Sequence, residues 1–443
     1  MRIRKRLLSG SVRCRRNCGI EASHRGTETQ SNNRGQKPKA RALKQEITCL
    51  LLFFGSAPRC LCGYLTNMTV KETLAQLVRI DSVSSRSNAN MADYLTTRCA
   101  AMGLSVRRLP CIDEGGIEKI NLIALSGADS SHAAEVELAL VGHTDTVPYD
   151  PLWTAATTLT ERDGKLYARG ACDTKGFIAA ALTAVEGIDL KSLRRPLALV
   201  FTADEEVGCL GAKRLAETRA LRAHYAIVGE PTSLQPMRAG KGYCLAEITV
   251  HGREAHSAYP ALGASAIFRA ARLIAQIEKI AEQVKTETHE AFDPPYTTLN
   301  VGLIEGGTAK NVIAGKCRFT LEWRNVPGQE PTRVLDALKL AIESQKQLEP
   351  DFACEVDAGR ADEGFDTRAD SPLVRLLEEG AGQRAGTVAF GTEAPQMIQL
   401  GAEAVVFGPG NIRVAHRTDE FVPFEELHRC VEVIGKAIER FCL

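Results

Sequence analysis

Imidazole and carboxylate side chains occur in this sequence where short apolar runs end. The residues are His143 and Asp145 in GHTDTVP, Asp173 in RGACDTKG, Glu205 and Glu206 in TADEEVG, Glu230 in VGEPT, and His416 in AHRTDE. One such residue after a strand is usually a hydrogen-bonded cap. Several acids and imidazoles at neighbouring strand ends would repel or lose hydration at a cost unless a cation binds them. The set therefore predicts a metal centre.

The ligand types indicate which metals would bind. Nitrogen and oxygen ligands without thiolates suit zinc, cobalt or manganese. Two histidines and at least three carboxylates are too many for one open zinc site, which takes three protein ligands and a water. We therefore expect two divalent metal ions, with zinc as the first choice and cobalt as the alternative. Cys172, next to Asp173, is expected to pack in the core instead of binding metal.

The elements that must position these residues follow from apolar runs rich in Val, Leu and Ile. The predicted strands are KINLIALSG, VELALVGH, LALVFTAD and YAIVGE, and helical spacing marks VKETLAQLVRI and the stretch 91–102. Strands that are apolar on both faces indicate a sheet covered by helices, and such sheets place their sites at strand ends. We predict an α/β catalytic domain of three layers, formed by residues 68–241 and 355–443.

Residues 242–354 have a different pattern. Strands and helices alternate there in the order β-α-β-β-α-β, which is typical of a ferredoxin-like α+β unit. We predict that this unit is inserted into the catalytic domain. A cleft between the two domains would suit a small-molecule substrate.

Residues 1–67 differ in charge from the remainder of the chain. They hold 14 of the 55 Lys and Arg residues but only three of the 54 acids, and resemble a disordered basic tail. Their one apolar run, residues 47–57, is too short to span a membrane. We expect an extension ahead of a functional start at Met68. A targeting segment, or a tether to nucleic acid or anionic membrane, is the alternative.

Composition and cysteine usage narrow the class of protein. The chain is 44% hydrophobic and 25% charged with a formal net charge of +1, which gives no overall signal for a nucleic-acid or membrane partner. The nine cysteines after residue 67 are dispersed and form no disulfide or zinc pattern, as expected for a reduced cytoplasmic protein.

The motifs together resemble a known family. In order and spacing, HTDTVP, GACDTKG, ADEE, GEPT, GREAHSAYP and AHRTDE are similar to the co-catalytic zinc amidohydrolases of peptidase family M20, from about Met68 to Leu443. The resemblance implies a zinc-peptidase-like catalytic domain with an inserted lid and dimerisation domain. One metal would be held by His143, Asp173 and Glu230, and the other by Glu206, Asp173 and His416.

The resemblance also implies roles for residues around the metals. Asp173 would bridge them, and the peptide after it would be cis. Asp145 would accept the second N–H of His143. Glu205 would be the general base and acid, taking a proton from the attacking water and returning it to the leaving amine. His256 would reach the partner subunit's site and stabilise the oxyanion, which implies a homodimer.

Several residues outside the predicted metal centre are candidates for binding the substrate. The candidate residues are Asn311, Arg324, Lys241, Thr392 and Glu393. Arg324 would hold a substrate carboxylate, with a surface ion pair as the alternative, and Glu393 would bind a cationic amine.

The motifs GEPTSLQPMRAGKG, GTEAP and FGPGNIRVAH are most similar to family members that deacetylate N2-acetyl-L-ornithine in arginine biosynthesis. The substrate would then be a small N-acyl amino acid. Desuccinylation of N-succinyl-diaminopimelate, or another aminoacylase or peptidase reaction, is the alternative. A second alternative is that the protein is a catalytically inactive scaffold. The presence of every predicted ligand and of Glu205 argues against this alternative.

Overall fold

The apolar runs form the strands of a large central sheet. The computed structural model describes residues 68–127 and 134–443, so the prediction of a basic extension over residues 1–67 lies outside the described part. All described residues belong to one unit, Arg59–Leu443. The strands are β1 Ser105–Ile112, β2 Glu118–Leu125, β3 Ala134–His143, β4 Thr160–Arg162, β5 Lys165–Tyr167, β6 Leu197–Thr202, β7 Leu221–Val228, β8 Met237–Gly240, β9 Cys244–His251, β10 Thr298–Gly306, β11 Lys316–Arg324, β12 Ala353–Ala361, β13 Phe365–Asp366, β14 Gly386–Val388, β15 Glu403–Val406 and β16 Phe421–Pro423.

Helices cover this sheet and also form one side of a smaller one. They are α1 Val70–Arg79, α2 Ala89–Ala101, α3 Lys175–Glu186, α4 Leu210–Glu217, α5 Ala266–Val284, α6 Arg333–Leu348, α7 Pro372–Ala381, α8 Ala394–Gln399 and α9 Phe424–Cys442, with short 3-10 turns at Leu190–Ser192, Pro260–Leu262 and Ile412–Val414. No helix in residues 68–127 or 134–443 is long and apolar enough to cross a membrane.

The central sheet has nine strands in the order β1-β2-β6-β3-β7-β15-β8-β13, with β14 paired to β8. Strands β6, β3, β7 and β15 run parallel to one another. Their successive side chains enter two different cores. In β3, Leu138 and Leu140 face helices α1, α2, α3, α7 and α9, whereas Ala139 and Val141 face α4 and α8. The predicted three-layer α/β class is confirmed.

The second sheet has four antiparallel strands in the order β10-β11-β9-β12. Helices α5 and α6 cover one face, and their apolar side chains share a separate core with the strands. The order of elements is β-α-β-β-α-β, as the sequence pattern indicated. The last strand continues past residue 354, because Val356 and Asp357 still pair with Ile248 and Glu247 of β9.

The structure contains elements that the sequence analysis did not identify. Strands β4, β5 and β16 form a three-stranded sheet, and helix α3 packs directly behind the central sheet. Ten of the 12 residues of α3 are buried, so the helix has no polar face and no helical period for the sequence to reveal. This helix matters because Asp173 and Thr174 immediately precede it.

Candidate metal centre

The parallel strands bring the predicted ligands to one edge of the central sheet. His143 is the last residue of β3, Glu205 and Glu206 follow β6, and Glu230 follows β7. Because these strands are parallel neighbours, their carboxyl ends meet at the same edge. Asp173 reaches this edge from the loop before α3. His416 reaches it from the loop after the turn Ile412–Val414.

Asp173 lies between two imidazoles. Its Oδ1 is 3.1 Å from Nε2 of His143, and its Oδ2 is 3.0 Å from Nε2 of His416. Nε2 of His416 is also 3.1 Å from Oε2 of Glu206. Each oxygen of one carboxylate thus faces a different histidine, which is the arrangement that a carboxylate shared by two cations requires.

Two overlapping groups of side chains are close enough to hold a metal ion. Ligand atoms of His143, Asp173 and Glu206 lie within 4.8 Å of one another, and so do those of His143, Glu205 and Glu230. The side chain of His416 is 49% exposed, so solvent reaches the cluster from that side. All five predicted ligands and the predicted base therefore meet in one place. Distance alone does not distinguish Glu205 from a ligand.

The electrostatics of the cluster fit bound cations. Burial, followed by the charges of neighbouring acids and partly offset by His143, raises the pKa of Glu205 to about 8. The pKa values of Glu206 and Glu230 are also raised by burial and by nearby carboxylates. Oε1 of Glu206 is buried and has no hydrogen-bond partner within residues 68–127 and 134–443. Acids that repel one another, with an unpaired oxygen among them, suit divalent metal ions.

Asp145 differs in detail from its prediction. Nδ1 of His143 is 3.0 Å from the backbone oxygen of Asp145 but 3.6 Å from its carboxylate Oδ1, so the carbonyl is the hydrogen-bond acceptor. Because a carbonyl only accepts, Nδ1 carries the proton and Nε2 is free to bind a metal. The Asp145 carboxylate instead accepts from the backbone N–H groups of Glu205, at 3.1 Å, and Glu206, at 3.2 Å. It also accepts from Ser84 Oγ at 2.8 Å.

A buried lysine supports the loop that carries Glu205 and Glu206. Nζ of Lys119 donates to Oδ1 of Asp204 at 2.6 Å, and both side chains are only 2% exposed. The same ammonium group donates to the backbone oxygen of Ser84. No local sequence pattern reveals this pair, because 85 residues separate its members.

Glu420 and Arg169 position Asp173, and neither was singled out from the sequence. Oε1 of Glu420 accepts from the backbone N–H groups of Cys172, at 2.9 Å, and Asp173, at 3.0 Å. Oε2 of Glu420 accepts from Nη1 of Arg169 at 2.6 Å, and both side chains are buried. Their only sequence signal is that each lies inside a motif, Arg169 in ARGACD and Glu420 in AHRTDE.

We expect Arg169→Met to weaken metal binding. The substitution would leave Glu420 buried without its cation, so the loop that holds Asp173 would lose its anchor. Loss of a residue that orients a metal ligand typically costs about 10- to 100-fold in metal affinity. Zinc titration with a competing chelator would measure this change. Arg162→Met is the matched control, because Arg162 is largely exposed, forms a long ion pair with exposed Asp419 and lies 4.2 Å from the centre of the Tyr167 ring. Equal affinities in the two variants would contradict this role.

His256 and Asn311 lie on loops of the four-stranded unit and are exposed. His256 Nδ1 accepts from the backbone N–H of Ala258 at 3.1 Å, and a β-bridge joins His256 to Val312. Neither residue belongs to the two metal-binding groups found among the described residues. Their predicted catalytic and substrate roles stay predictions.

Arg324 and Lys241 are already engaged by groups of the protein itself. The Arg324 guanidinium lies 3.6 Å from the centre of the Tyr243 ring, and its Nε donates to Glu322 at 2.8 Å. The ion pair named as the alternative for Arg324 is therefore present. Nζ of buried Lys241 donates to the backbone oxygens of Pro294, at 2.8 Å, and Tyr296, at 2.7 Å. This geometry gives Lys241 a structural task and does not support its predicted contact with substrate.

Thr392, Glu393 and Cys172 are buried near the strand ends. Oγ1 of Thr392 accepts from the backbone N–H of Ala394 at 3.3 Å, at the start of α8. Oε1 of Glu393 has no hydrogen-bond partner in the described part of the chain, and burial raises the pKa of this carboxyl group to about 7. Sγ of Cys172 is 3.6 Å from the backbone oxygen of Asn411. Cys172 thus packs in the core and does not join the ligand cluster.

The peptide between Asp173 and Thr174 is cis, as the resemblance implied.

Comparison with known proteins gives the same family. The model of peptidase family M20/M25/M40 matches residues 139–440. The chain is 54% identical to an acetylornithine deacetylase of Myxococcus xanthus over 374 residues, covering 84% of this chain and 97% of that protein. It is 37% identical to an acetylornithine deacetylase of Yersinia pseudotuberculosis over 365 residues, covering 82% of this chain and 93% of that protein.

Solved structures share the fold at lower identity. A tripeptidase from Staphylococcus aureus has a TM-score of 0.66 and 24% identity, covering 84% of this chain and 97% of the other. An M20 family metallo-carboxypeptidase from Sulfolobus solfataricus has a TM-score of 0.65 and 20% identity, covering 84% and 99%. These likenesses concern the fold alone. The family match and the identity to curated relatives show that the chain belongs to the peptidase family M20/M25/M40.

Proposed function

We propose that this protein hydrolyses N2-acetyl-L-ornithine to L-ornithine and acetate, a reaction of arginine biosynthesis. Family membership makes the protein a hydrolase of amide bonds. The two deacetylases described above, which align over most of their length, support the choice of substrate. The observation that carries the chemistry is Asp173, whose two carboxylate oxygens face two imidazoles beside Glu205.

Two divalent metal ions are part of the proposal, with zinc as the first choice and cobalt as the alternative. His143, Asp173 and Glu230 would hold one ion, and Glu206, Asp173 and His416 the other. Such ions polarise a substrate carbonyl and lower the pKa of bound water. The orientation of His143, the buried oxygen of Glu206 and the mutual repulsion of the acids all support this assignment.

Glu205 is the proposed general base and acid. Its backbone N–H donates to Asp145, which fixes the start of its side chain next to His143 and Glu230. From this position Glu205 takes a proton from the water that attacks the acetyl carbon. It then gives the proton to the nitrogen of the leaving ornithine. Glu206, whose Oε2 faces His416, is a proposed metal ligand.

The substrate would be held at the metal centre, in the predicted cleft between the catalytic domain and the four-stranded unit. Arg324 is the proposed partner of the α-carboxylate, released from Glu322 when substrate binds, and Asn311 and Thr392 would contact the amide. For Lys241 we make no such proposal, because two carbonyl oxygens already occupy its ammonium group.

Glu393 is the proposed partner of the cationic δ-amine, because its buried Oε1 accepts no hydrogen bond from any described residue. We expect Glu393→Gln to raise KM for N2-acetyl-L-ornithine about tenfold, through loss of one charge-assisted hydrogen bond, with a smaller change in kcat. Steady-state kinetics would measure both constants. N-acetyl-L-norvaline, which lacks the amine, is the control substrate, and its KM should not rise. An unchanged KM for acetylornithine would end this assignment.

A homodimer through the four-stranded unit is also proposed. Strand β10 is an edge of that sheet, and its side chains Leu303 and Ile304 are 71% and 57% exposed. Ile267 and Phe268, at the start of α5, extend the exposed apolar surface. His256 would then reach the partner's site. Sedimentation velocity of the wild type and of Leu303→Glu should show a dimer that the substitution weakens; a monomeric wild type would contradict the proposal.

The cytoplasm is the proposed location. The nine cysteines of the described residues are all free, and five of these nine lie buried in helices or strands. Reduced thiols of this kind are typical of cytoplasmic proteins. Fractionation of cells that produce the tagged full chain would test the location.

The test of function is ornithine release by protein that begins at Met68, loaded with zinc or cobalt. N-succinyl-diaminopimelate and a dipeptide serve as competing substrates. Fast release from acetylornithine alone, stopped by a chelator, would establish the deacetylase. Preference for another substrate would overturn the proposed substrate and keep the metal-dependent hydrolase, whereas no activity towards any of the three would favour the scaffold alternative or a need for residues 1–67.

A further inference from the structure

A buried cysteine connects the proposed general base to the four-stranded unit. Sγ of Cys209 lies 3.3 Å from Oε1 of Glu205, and Nη2 of Arg360 lies 3.6 Å from the same sulfur. Both contacts are within the range of hydrogen bonds to sulfur. The guanidinium can only donate, and the carboxylate accepts. The direction of donation therefore runs from Arg360 through the thiol to Glu205.

The backbone at Cys209 is held in a conformation that favours glycine. Its φ angle is 56°, and Asp204, at the other end of the same turn, has a φ angle of 57°. The backbone N–H of Cys209 donates to the backbone oxygen of Glu205 at 2.9 Å and closes the turn. A residue with a side chain is strained in the left-handed region, and such strain clusters at functional sites. The thiol occupies this position even though glycine would be less strained there.

The Cys209 side chain has the properties of a fixed hydrogen-bond donor. It is fully buried, and this burial raises the pKa of the thiol well above its usual value, so the sulfur keeps its proton. A donor on Oε1 of Glu205 restricts rotation of the carboxyl group and leaves its other oxygen to exchange a proton. Precise placement matters, because a displacement of about 1 Å can cost about 100-fold in rate.

Arg360 is itself held in place from several sides. Its Nε donates to Asp362, whose Oδ1 pairs with Lys213 at 2.6 Å. The guanidinium lies 4.6 Å from the centre of the Tyr243 ring. Gly391 leaves room for it, since a Cβ there would lie 2.9 Å from Nη2. Arg360 belongs to β12, the last strand of the four-stranded sheet, whereas Cys209 belongs to the loop after β6.

We propose that Cys209 and Arg360 are positioning residues that fix the carboxyl group of Glu205 and couple it to the four-stranded unit. The inference rests on the proposed deacetylation with Glu205 as the base. In this structure the guanidinium of Arg360 donates to the thiol of Cys209, and the thiol donates to the carboxylate of Glu205. A displaced unit would release the base.

The test compares kinetic constants of metal-loaded variants of the full chain on N2-acetyl-L-ornithine. Cys209→Ala should lower kcat about three- to tenfold, as loss of one hydrogen bond predicts, with KM unchanged within about twofold. Cys209→Ser, which restores a donor, should recover most of the kcat. Arg360→Met should lower kcat by a similar factor. The double variant should be no slower than the slower single variant, because both substitutions break one connection.

The controls separate this inference from the proposed function. Cys430→Ala removes a buried thiol in α9 and should leave kcat unchanged, and bound metal should be equal in all variants. An inactive wild type would refute the deacetylase itself. An active wild type with unchanged kcat in Cys209→Ala, no recovery by serine, or additive losses in the double variant would overturn the positioning role. If Cys209→Ala does not fold, the Arg360→Met and Cys209→Ser constants decide alone: kcat unchanged in Arg360→Met overturns the inference.

Discussion

Glu205→Gln should lower kcat for N2-acetyl-L-ornithine about 1,000-fold, within the range that a general acid–base group contributes. Glutamine keeps the shape of the side chain and can still accept from the thiol of Cys209, but it cannot take a proton from water. KM and bound metal should change little, since Glu205 is not one of the proposed ligands. Steady-state kinetics of the zinc-loaded variant, together with its metal content by mass spectrometry, would measure both effects.

Glu206→Gln is the matched control, because it changes the adjacent residue by the same atoms. Oε2 of Glu206 lies 3.1 Å from Nε2 of His416, so we expect this variant to lose bound metal as well as activity. The pair of variants separates the roles that distance leaves open. Loss of metal in Glu205→Gln and its retention in Glu206→Gln would reverse the two assignments.

The polar residues at the strand ends could be predicted because their signal lies in adjacent residues of the sequence. An apolar run followed by a polar residue identifies His143 and Glu230 on a single pass, and parallel pairing of β3 and β7 then brings them together. The alternation of Leu138, Ala139 and Leu140 between two cores follows from the period of a strand. Asp173 and His416 reach the cluster from loops, so strand order and chain direction alone do not place these two ligands.

The supporting contacts could not be predicted because they join distant parts of the chain. Lys119 meets Asp204 across 85 residues, and Arg169 meets Glu420 across 251. No periodicity encodes such a pairing. Asp145 shows the same limit at short range: its place beside His143 was correct, but its carboxylate turns to the backbone of the Glu205 loop, which only the folded sheet brings near.

Physical reasons also explain why some features differ from the sequence-based predictions. Helix α3 is buried on almost all sides, so its sequence lacks the polar face that marks a helix. The predicted inserted unit ends at residue 354, whereas strand β12 continues to Ala361 through an irregularity in its pairing between Asp357 and Arg360. Lys241 follows strand β8, and the loop at Pro294 and Tyr296 supplies acceptors for its ammonium group.

Asp173→Asn should abolish deacetylation and lower bound metal to one equivalent or less. The aspartate is the only residue assigned to both metals, and each of its oxygens faces a different imidazole. Burial alone would raise the pKa of Asp173, but hydrogen bonds from His143 and His416 outweigh it and hold the pKa below its usual value. Asparagine removes the charge and presents an N–H group to one of the two histidines, so at least one metal loses a ligand.

Thermal unfolding gives a readout that does not depend on catalysis. A metal that binds only the folded chain stabilises it by about 2.7 kcal/mol at a concentration 100 times its Kd, so zinc should raise the Tm of the wild type. The rise should be largely lost in Asp173→Asn and retained in Asp419→Asn, whose exposed carboxylate forms a long ion pair with Arg162. A full zinc-dependent rise in Asp173→Asn would mean that the bridging role belongs to another carboxylate, and Glu205 would then have to be reconsidered as a ligand beside His143 and Glu230.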